Sequence, residues 1–285
     1  MLNRRKHRYY VPAKHRSPLR IFIGRIVYTL LRYVLWIRFA GRFVSSPRKR
    51  RKGTGKFGFL CIEHKTPLFR HLSGSNKELE RNKVHNLSLA VRRLDGVVIE
   101  PGEVFSYWRL IGPPSHWRGF RKGMVLVNGH PMAHIGGGLC QLSNLIYWMT
   151  IHTPLTVIER FRHSYDVFPD SNRTQPFGSG ATCVYNYRDL QIRNDDAVAY
   201  RLYLWLDDEF LHGSWNAPCP VDLRYEVYEQ KHWISQEAAG VYLRHNILRR
   251  RVLRDGQEID DQYVAENHAL MMYAPLLDTL RRDAE

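Results

Sequence analysis

Cysteine is scarce in this chain. Its 285 residues hold four, at 61, 140, 183 and 219, with no CxxC pair and no two close together. That spacing argues against a zinc knuckle or a dithiol redox motif. A chain of this size has no need of disulfides, and a reducing compartment is the simplest setting. Long apolar runs are missing too. In the most apolar stretch, residues 21–44, Arg25, Arg32, Arg38 and Arg42 cut the run into pieces. These are far shorter than the roughly 20 residues that cross a bilayer. Each arginine at the bilayer centre costs about 2.5–3.5 kcal/mol. A spanning helix is therefore not expected, and without an apolar h-region a cleavable signal peptide fits poorly. The expected location is cytoplasmic, or peripheral at the inner face of the membrane. Acidic residues are absent from residues 1–52, which carry sixteen Lys or Arg.

What remains is balanced: beyond residue 52 the chain has 27 basic and 27 acidic residues, so the net charge of +16 belongs to the N-terminal extension alone. A neutral body makes nucleic acid an unlikely partner. The extension suits an anionic membrane surface. Within it Ile26, Leu30, Tyr33, Ile37 and Val44 recur at helical spacing with every arginine off the stripe. This predicts an amphipathic helix that lies on a membrane or packs on the body. Pro47, the Arg48–Lys52 run and Gly53-Thr54-Gly55 predict a linker. The organisation is thus a basic extension over 1–55 and a body over 56–285, the latter with a β-rich part over 196–285. A composition of 44% hydrophobic and 12% aromatic residues is enough for a sizeable core.

Periodicity predicts strands at 57–62, 97–99, 124–127 and 155–161, and helices at Lys77–Leu94 and Gln141–Thr150. Residues 181–187 and 190–193 read as a pair of strands. In the last third, 199–206, 221–228, 242–253 and 258–266 alternate with period two, and Asp255-Gly256 carries a hairpin signal. The fold class expected is α+β, with helices inserted among largely antiparallel strands.

The most informative segment is Gly136-Gly137-Gly138-Leu139-Cys140-Gln141-Leu142-Ser143. It places a thiol at a helix N-terminus, where free amides and the helix dipole favour a thiolate. The alternative is a tight turn with a small buried cysteine. A cysteine nucleophile needs a base and an orienting group. His163 follows the Cys140 helix at the end of the next strand, with Asp166 and Asp170 just beyond, in the Cys–His–acid order of papain-like hydrolases and acyltransferases. Gln141 and the amides of 138–141 are candidate oxyanion donors. Gly136, Gly137, Gly138, Ser143, Arg160 and Ser164 complete a ligand-contacting set; Arg160, Arg162 and Arg173 suit a carboxylate. A metal site at His130, His134, Cys140 and His163 is the weaker rival, since the spacing matches no zinc pattern. No motif asks for a cofactor.

Pro101-Gly102-Glu103-Val104-Phe105-Ser106, Gly112, Gly119-Phe120, the Gly136–Ser143 block, Glu159-Arg160, His163-Ser164 and Asp189-Leu190-Gln191-Ile192-Arg193-Asn194 together resemble the VanW-like family over roughly residues 75–195, in a short form. The resemblance implies a bacterial cell-wall or glycopeptide-resistance setting and a peptide or cell-wall precursor as partner. It leaves two classes of function open, a cysteine-dependent hydrolase or acyltransferase on an amide or ester, and a non-enzymatic binding or membrane-peripheral accessory protein. Longer relatives often carry Asp before the Ala-Thr pair, where this chain has Gly180. If that Asp is the catalytic acid there, Asp166 or Asp170 must replace it here.

Overall fold

The structure is a computed structural model and describes residues 17–45, 56–69, 77–127, 129–167 and 175–275. The expected linker, Asn128, Asp170 and Arg173 lie outside the described residues. The first element is helix α1 (Pro18–Arg38), followed by strand β1 (Phe59–Pro67), helix α2 (Lys77–Leu94), β2 (Val98–Ile99), β3 (Val104–Ser106) and α3 (Tyr107–Ile111). Then come β4 (Lys122–Val127), β5 (His130–Ile135), α4 (Cys140–Thr150), β6 (Thr156–Glu159), β7 (Tyr165–Asp166) and β8 (Gln191–Arg193). The last third is β9 (Tyr200–Leu206), β10 (Phe210–Ala217), β11 (Leu223–Ala238), β12 (Val241–Arg254) and β13 (Gln257–Met271). This is an α+β fold.

The strands form sheets in the orders β1-β10-β9-β2, β11-β12-β13-β7, β3-β8-β6 and β4-β5. Every strand pair is antiparallel except β13 with β7. The β12–β13 turn is the expected hairpin. Asp255 and Gly256 both take positive φ, 51° and 79°, and Arg254 pairs with Gln257. Asp and Gly tolerate that conformation best. Residues 181–187 are not the expected strand. They run as irregular chain with one bridge between Val184 and Arg188, so β8 pairs with β3 and β6 instead.

Helix α4 lies at the centre of the core. Leu142, Leu145, Ile146 and Met149 are all buried. Each contributes about 1.5–3 kcal/mol by leaving water. Gly213 of β10 makes room for this, since a Cβ there would fall 2.7 Å from the Met149 terminal carbon. α2 adds Leu87, Ala90, Val91 and Leu94 to the same core.

Helix α1 packs on the body, but only Tyr33 of the expected stripe, with Val44 beyond the helix end, faces it. Ile26, Leu30 and Ile37 are exposed, Ile37 at 75%. The buried residues are Arg32 and Trp36. Arg32 forms a bidentate pair with Glu159, at 2.5 and 2.7 Å. Tyr33 bonds Tyr185 between hydroxyls at 2.6 Å, and Asn186 donates to the Thr29 carbonyl. Residues 29, 32, 33 and 36 therefore make the seam. The sequence pattern misses it because a guanidinium meeting a carboxylate docks as well as an aliphatic side chain does.

Candidate functional site

The three glycines before Cys140 are needed for packing. Gly136 and Gly138 take positive φ, 76° and 93°. A Cβ on Gly136 would meet Pro114 at 2.6 Å, and one on Gly123 would meet the Gly137 carbonyl oxygen at 2.6 Å. Gly137 and Gly123 are pressed backbone to backbone. Asn86 of α2 locks this contact: its amide donates to the carbonyls of Arg121 and Gly137, at 2.9 and 3.0 Å, and its oxygen accepts from Arg121 N–H. The Gly136 and Gly137 amides donate to Arg121 and His134 carbonyls. The loop is thus a wedge between α2 and the β4–β5 hairpin.

Cys140 opens α4 and is half-buried. Its thiol donates to the Cys183 carbonyl at 3.7 Å. Burial pushes its pKa up, and that of Cys183 further up for the same reason. The helix N-terminus does not overcome the loss of hydration. Gln141, the expected oxyanion donor, is engaged elsewhere: its amide donates to the Thr66 hydroxyl and the Pro67 carbonyl, both at 2.9 Å. Ser143 is buried and donates to the Ala181 and Cys140 carbonyls.

His163 has both ring nitrogens near neighbours other than Cys140. Nε2 lies 3.3 Å from Asn144 Oδ1, and Nδ1 lies 2.7 Å from Thr182 Oγ1. Asn144 Oδ1 also accepts from Ala181 N–H at 2.8 Å. An acceptor on Nε2 assigns that nitrogen the proton, so Nδ1 presents its lone pair to the Thr182 hydroxyl. Gly180 sits against this cluster, where a Cβ would fall 2.7 Å from Asn144 Oδ1 and 3.1 Å from His163 Nε2. Asn144, one helical turn after Cys140, thus holds the ring nitrogen for which an acid was expected. Asp166 is buried and accepts from Arg244 at 3.3 Å and from the Tyr273 hydroxyl at 2.8 Å.

Arg160 donates to the carbonyls of Gly180 and Gly178 and lies over the Tyr147 ring at 4.8 Å. Ser164 is exposed, and its carbonyl receives Leu270 N–H. His130 and His134 are exposed on β5. Among the described residues no group of three or more His, Cys, Asp or Glu is arranged to hold a metal. Sequence reasoning missed Asn144 and Thr182. The only available signal was position: Asn144 falls four residues after Cys140, hence on its helix face.

A family model described as VanW like protein matches residues 82–216, which run from α2 to β10. The Vancomycin B-type resistance protein VanW of Enterococcus faecalis (strain ATCC 700802 / V583) is 34% identical over 216 residues, 75% of this chain and 78% of that one. The chain belongs to the VanW-like family. Uncharacterized protein YoaR of Bacillus subtilis (strain 168) is 27% identical over 124 residues, 44% of this chain and only 38% of its own length. No solved structure matches. The glycine wedge, Cys140, Asn144, His163 and Thr182 all fall inside the VanW-like segment.

Proposed function

We propose that this VanW-like protein is an accessory factor that works at an anionic membrane surface in glycopeptide resistance or cell-envelope upkeep, with Cys140 in a packing role. The setting rests on the 34% identity to a protein named for vancomycin resistance. The location rests on one observation, the outer face of α1. This 21-residue helix is about 31 Å long. It meets the body along one narrow seam and leaves Leu19, Phe22, Ile26, Leu30, Leu31 and Ile37 exposed. Arg20, Arg25 and Arg38 are exposed among them. No helix among the described residues is long and apolar enough to cross a membrane. An apolar face interleaved with arginines suits the headgroup boundary, where each basic residue adds about 1 kcal/mol on an anionic leaflet.

The test is sedimentation of the full chain with phosphatidylglycerol-containing vesicles and with pure phosphatidylcholine vesicles. The expected result is binding to the first only, weakened at least about tenfold by Leu30→Glu with Ile37→Glu. Self-association through α1 with no vesicle binding would overturn the proposal.

A hydrolytic reading keeps one specific observation, the His163 contact with Thr182 at 2.7 Å. It favours the Thr182 hydroxyl over the Cys140 thiol as nucleophile, with Asn144 orienting the base. Any ester-cleaving activity would then vanish in Thr182→Ala and persist in Cys140→Ala.

A further inference from the structure

A cavity of about 410 Å³ opens between the end of α4, β6 and β13, and no part of α1 lines it. Its walls include Tyr147 of α4 and Ile151 at the helix end, residues 156–158 of β6 and residues 263–266 of β13, together with Arg160 and Arg250. The volume lies within the range of small-ligand sites.

Two features of the lining point to a ligand. The first is positive charge without an ion-pair partner. Among the described residues Arg160 donates to the carbonyls of Gly178 and Gly180. Arg250 donates to Gln262 and to the carbonyls of Ile151 and Thr153. Neither guanidinium forms an ion pair with a carboxylate among the described residues; Asp260 acts on Arg250 at longer range, and Arg250 lies over the Tyr225 ring at 4.6 Å. Each keeps one terminal nitrogen, Nη1 of Arg160 and Nη2 of Arg250, without a protein acceptor there. Partly buried cations of this kind are normally paired. The one acid on the lining, Glu266, lies 3.3 Å from His268 instead.

The second feature is open backbone. β6 is the end strand of its sheet, and β13 pairs with β7 only at Leu270 and Met271. Both strands therefore bring unpaired edges to the cavity among the described residues. Unpaired strand edges accept an extended peptide through main-chain hydrogen bonds.

We propose that this cavity binds an extended peptide by its C-terminal carboxylate, with Arg160 and Arg250 on the carboxylate and the β6 edge on the peptide backbone. Cys140, Asn144 and Tyr147 share one face of α4 at spacings of four and three, and Ile151 at its C-cap continues it. That face is packed in the core, so the peptide stays within the cavity. The binding does not require membrane attachment.

The test uses N-acetyl-trialanine and its C-terminal amide as probes, titrated into the full chain by calorimetry and followed by NMR. The expected result is that the acid binds and the amide binds at least about tenfold more weakly, since a charge-assisted bidentate contact is lost. Arg250→Gln is expected to weaken the acid by a similar factor. Arg160→Gln removes two loop contacts as well as the cation. Tyr263→Ala, at an exposed position on the lining, is therefore the companion variant. It is expected to lose a few-fold in affinity with the fold intact by circular dichroism. Equal binding of acid and amide, binding of the acid that Arg250→Gln and Tyr263→Ala leave unchanged, or displacement of the peptide by acetate at equal concentration would each overturn the proposal. So would the absence of any binding at millimolar probe.

Discussion

Replacing Gly137 by alanine is the sharpest test of how the Cys140 loop is built. A Cβ at this position would lie under 3.0 Å from the carbonyl carbon, carbonyl oxygen and Cα of Gly123, all backbone atoms that no rotamer change can move. The β4–β5 hairpin must shift away from the loop. Overpacking of this kind costs about 1–3 kcal/mol. The shift also strains the Asn86 bonds to Arg121 and Gly137, a buried amide whose lost partner adds about 1 kcal/mol. The total is about 3 kcal/mol, which lowers the melting temperature by roughly 6–12 °C for a protein of this size. Thermal unfolding by circular dichroism reads it directly. Gly58→Ala, with open space around the added methyl, is expected to melt within about 2 °C of the parent. Gly96→Ala isolates the backbone contribution: its φ is +77° with nothing near, so about 1 kcal/mol is expected. If Gly137→Ala melts with Gly58→Ala, the glycines are not there for packing. A role in ligand approach then becomes the better explanation.

Two further outcomes follow from buried titratable groups. Thiol alkylation at neutral pH is expected to modify exposed Cys219 first, half-buried Cys140 slowly, and buried Cys183 only once denaturant is added, because burial raises the pKa of the last two; peptide mass mapping reads this, and labelling of Cys140 in the native protein as fast as Cys219 would refute the packing role. His245 is fully buried between Ser235 and His268, and its pKa is lowered from 6.5 to about 4, first by burial and then by His268. The unfolded chain therefore binds the proton first. Stability is fully present above pH 6.5 and falls as the pH drops toward 4. The full difference corresponds to about 3 kcal/mol, which screening in so thin a sheet trims to about 2 kcal/mol. Asp189, raised to about 6 by burial, acts in the opposite sense over a similar range, so the informative quantity is the difference in urea midpoint between parent and His245→Gln at pH 7 and pH 4.5. A difference that does not change with pH would refute the assignment.

The parts of the fold that were legible in sequence are those where one local rule decides. Lys77–Leu94 is helical because apolar residues recur every three to four positions, and the core takes that face whole. β12 and β13 turn at Asp255-Gly256 because few residue pairs tolerate two positive φ values. The failures lie where partners distant in sequence decide. Residues 181–187 alternate well enough for a strand, yet they are held as a loop. Val184 and Arg188 close on each other, Ala181 N–H is taken by Asn144, and the Ala181 carbonyl is taken by Ser143. The seam of α1 was misplaced by a rule that counts arginine as outward-facing. That rule fails for Arg32 because Glu159 waits 127 residues away.

The same distinction separates what was visible of the site from what was not. A thiol at a helix N-terminus reads as reactive when only the helix is considered, since the dipole favours the anion. The environment contributes the larger and opposite effect. Desolvation is the leading influence on Cys140, and its thiol faces a carbonyl rather than an imidazole. A helix end is worth up to about 2 kcal/mol to an anion in the best geometry, whereas removing a charge from water costs several. When the two compete, burial wins and the thiol stays protonated. His163, by contrast, keeps a polar partner on each ring nitrogen. The polar contacts of this region thus gather on His163, Asn144 and Thr182 rather than on the sulfur.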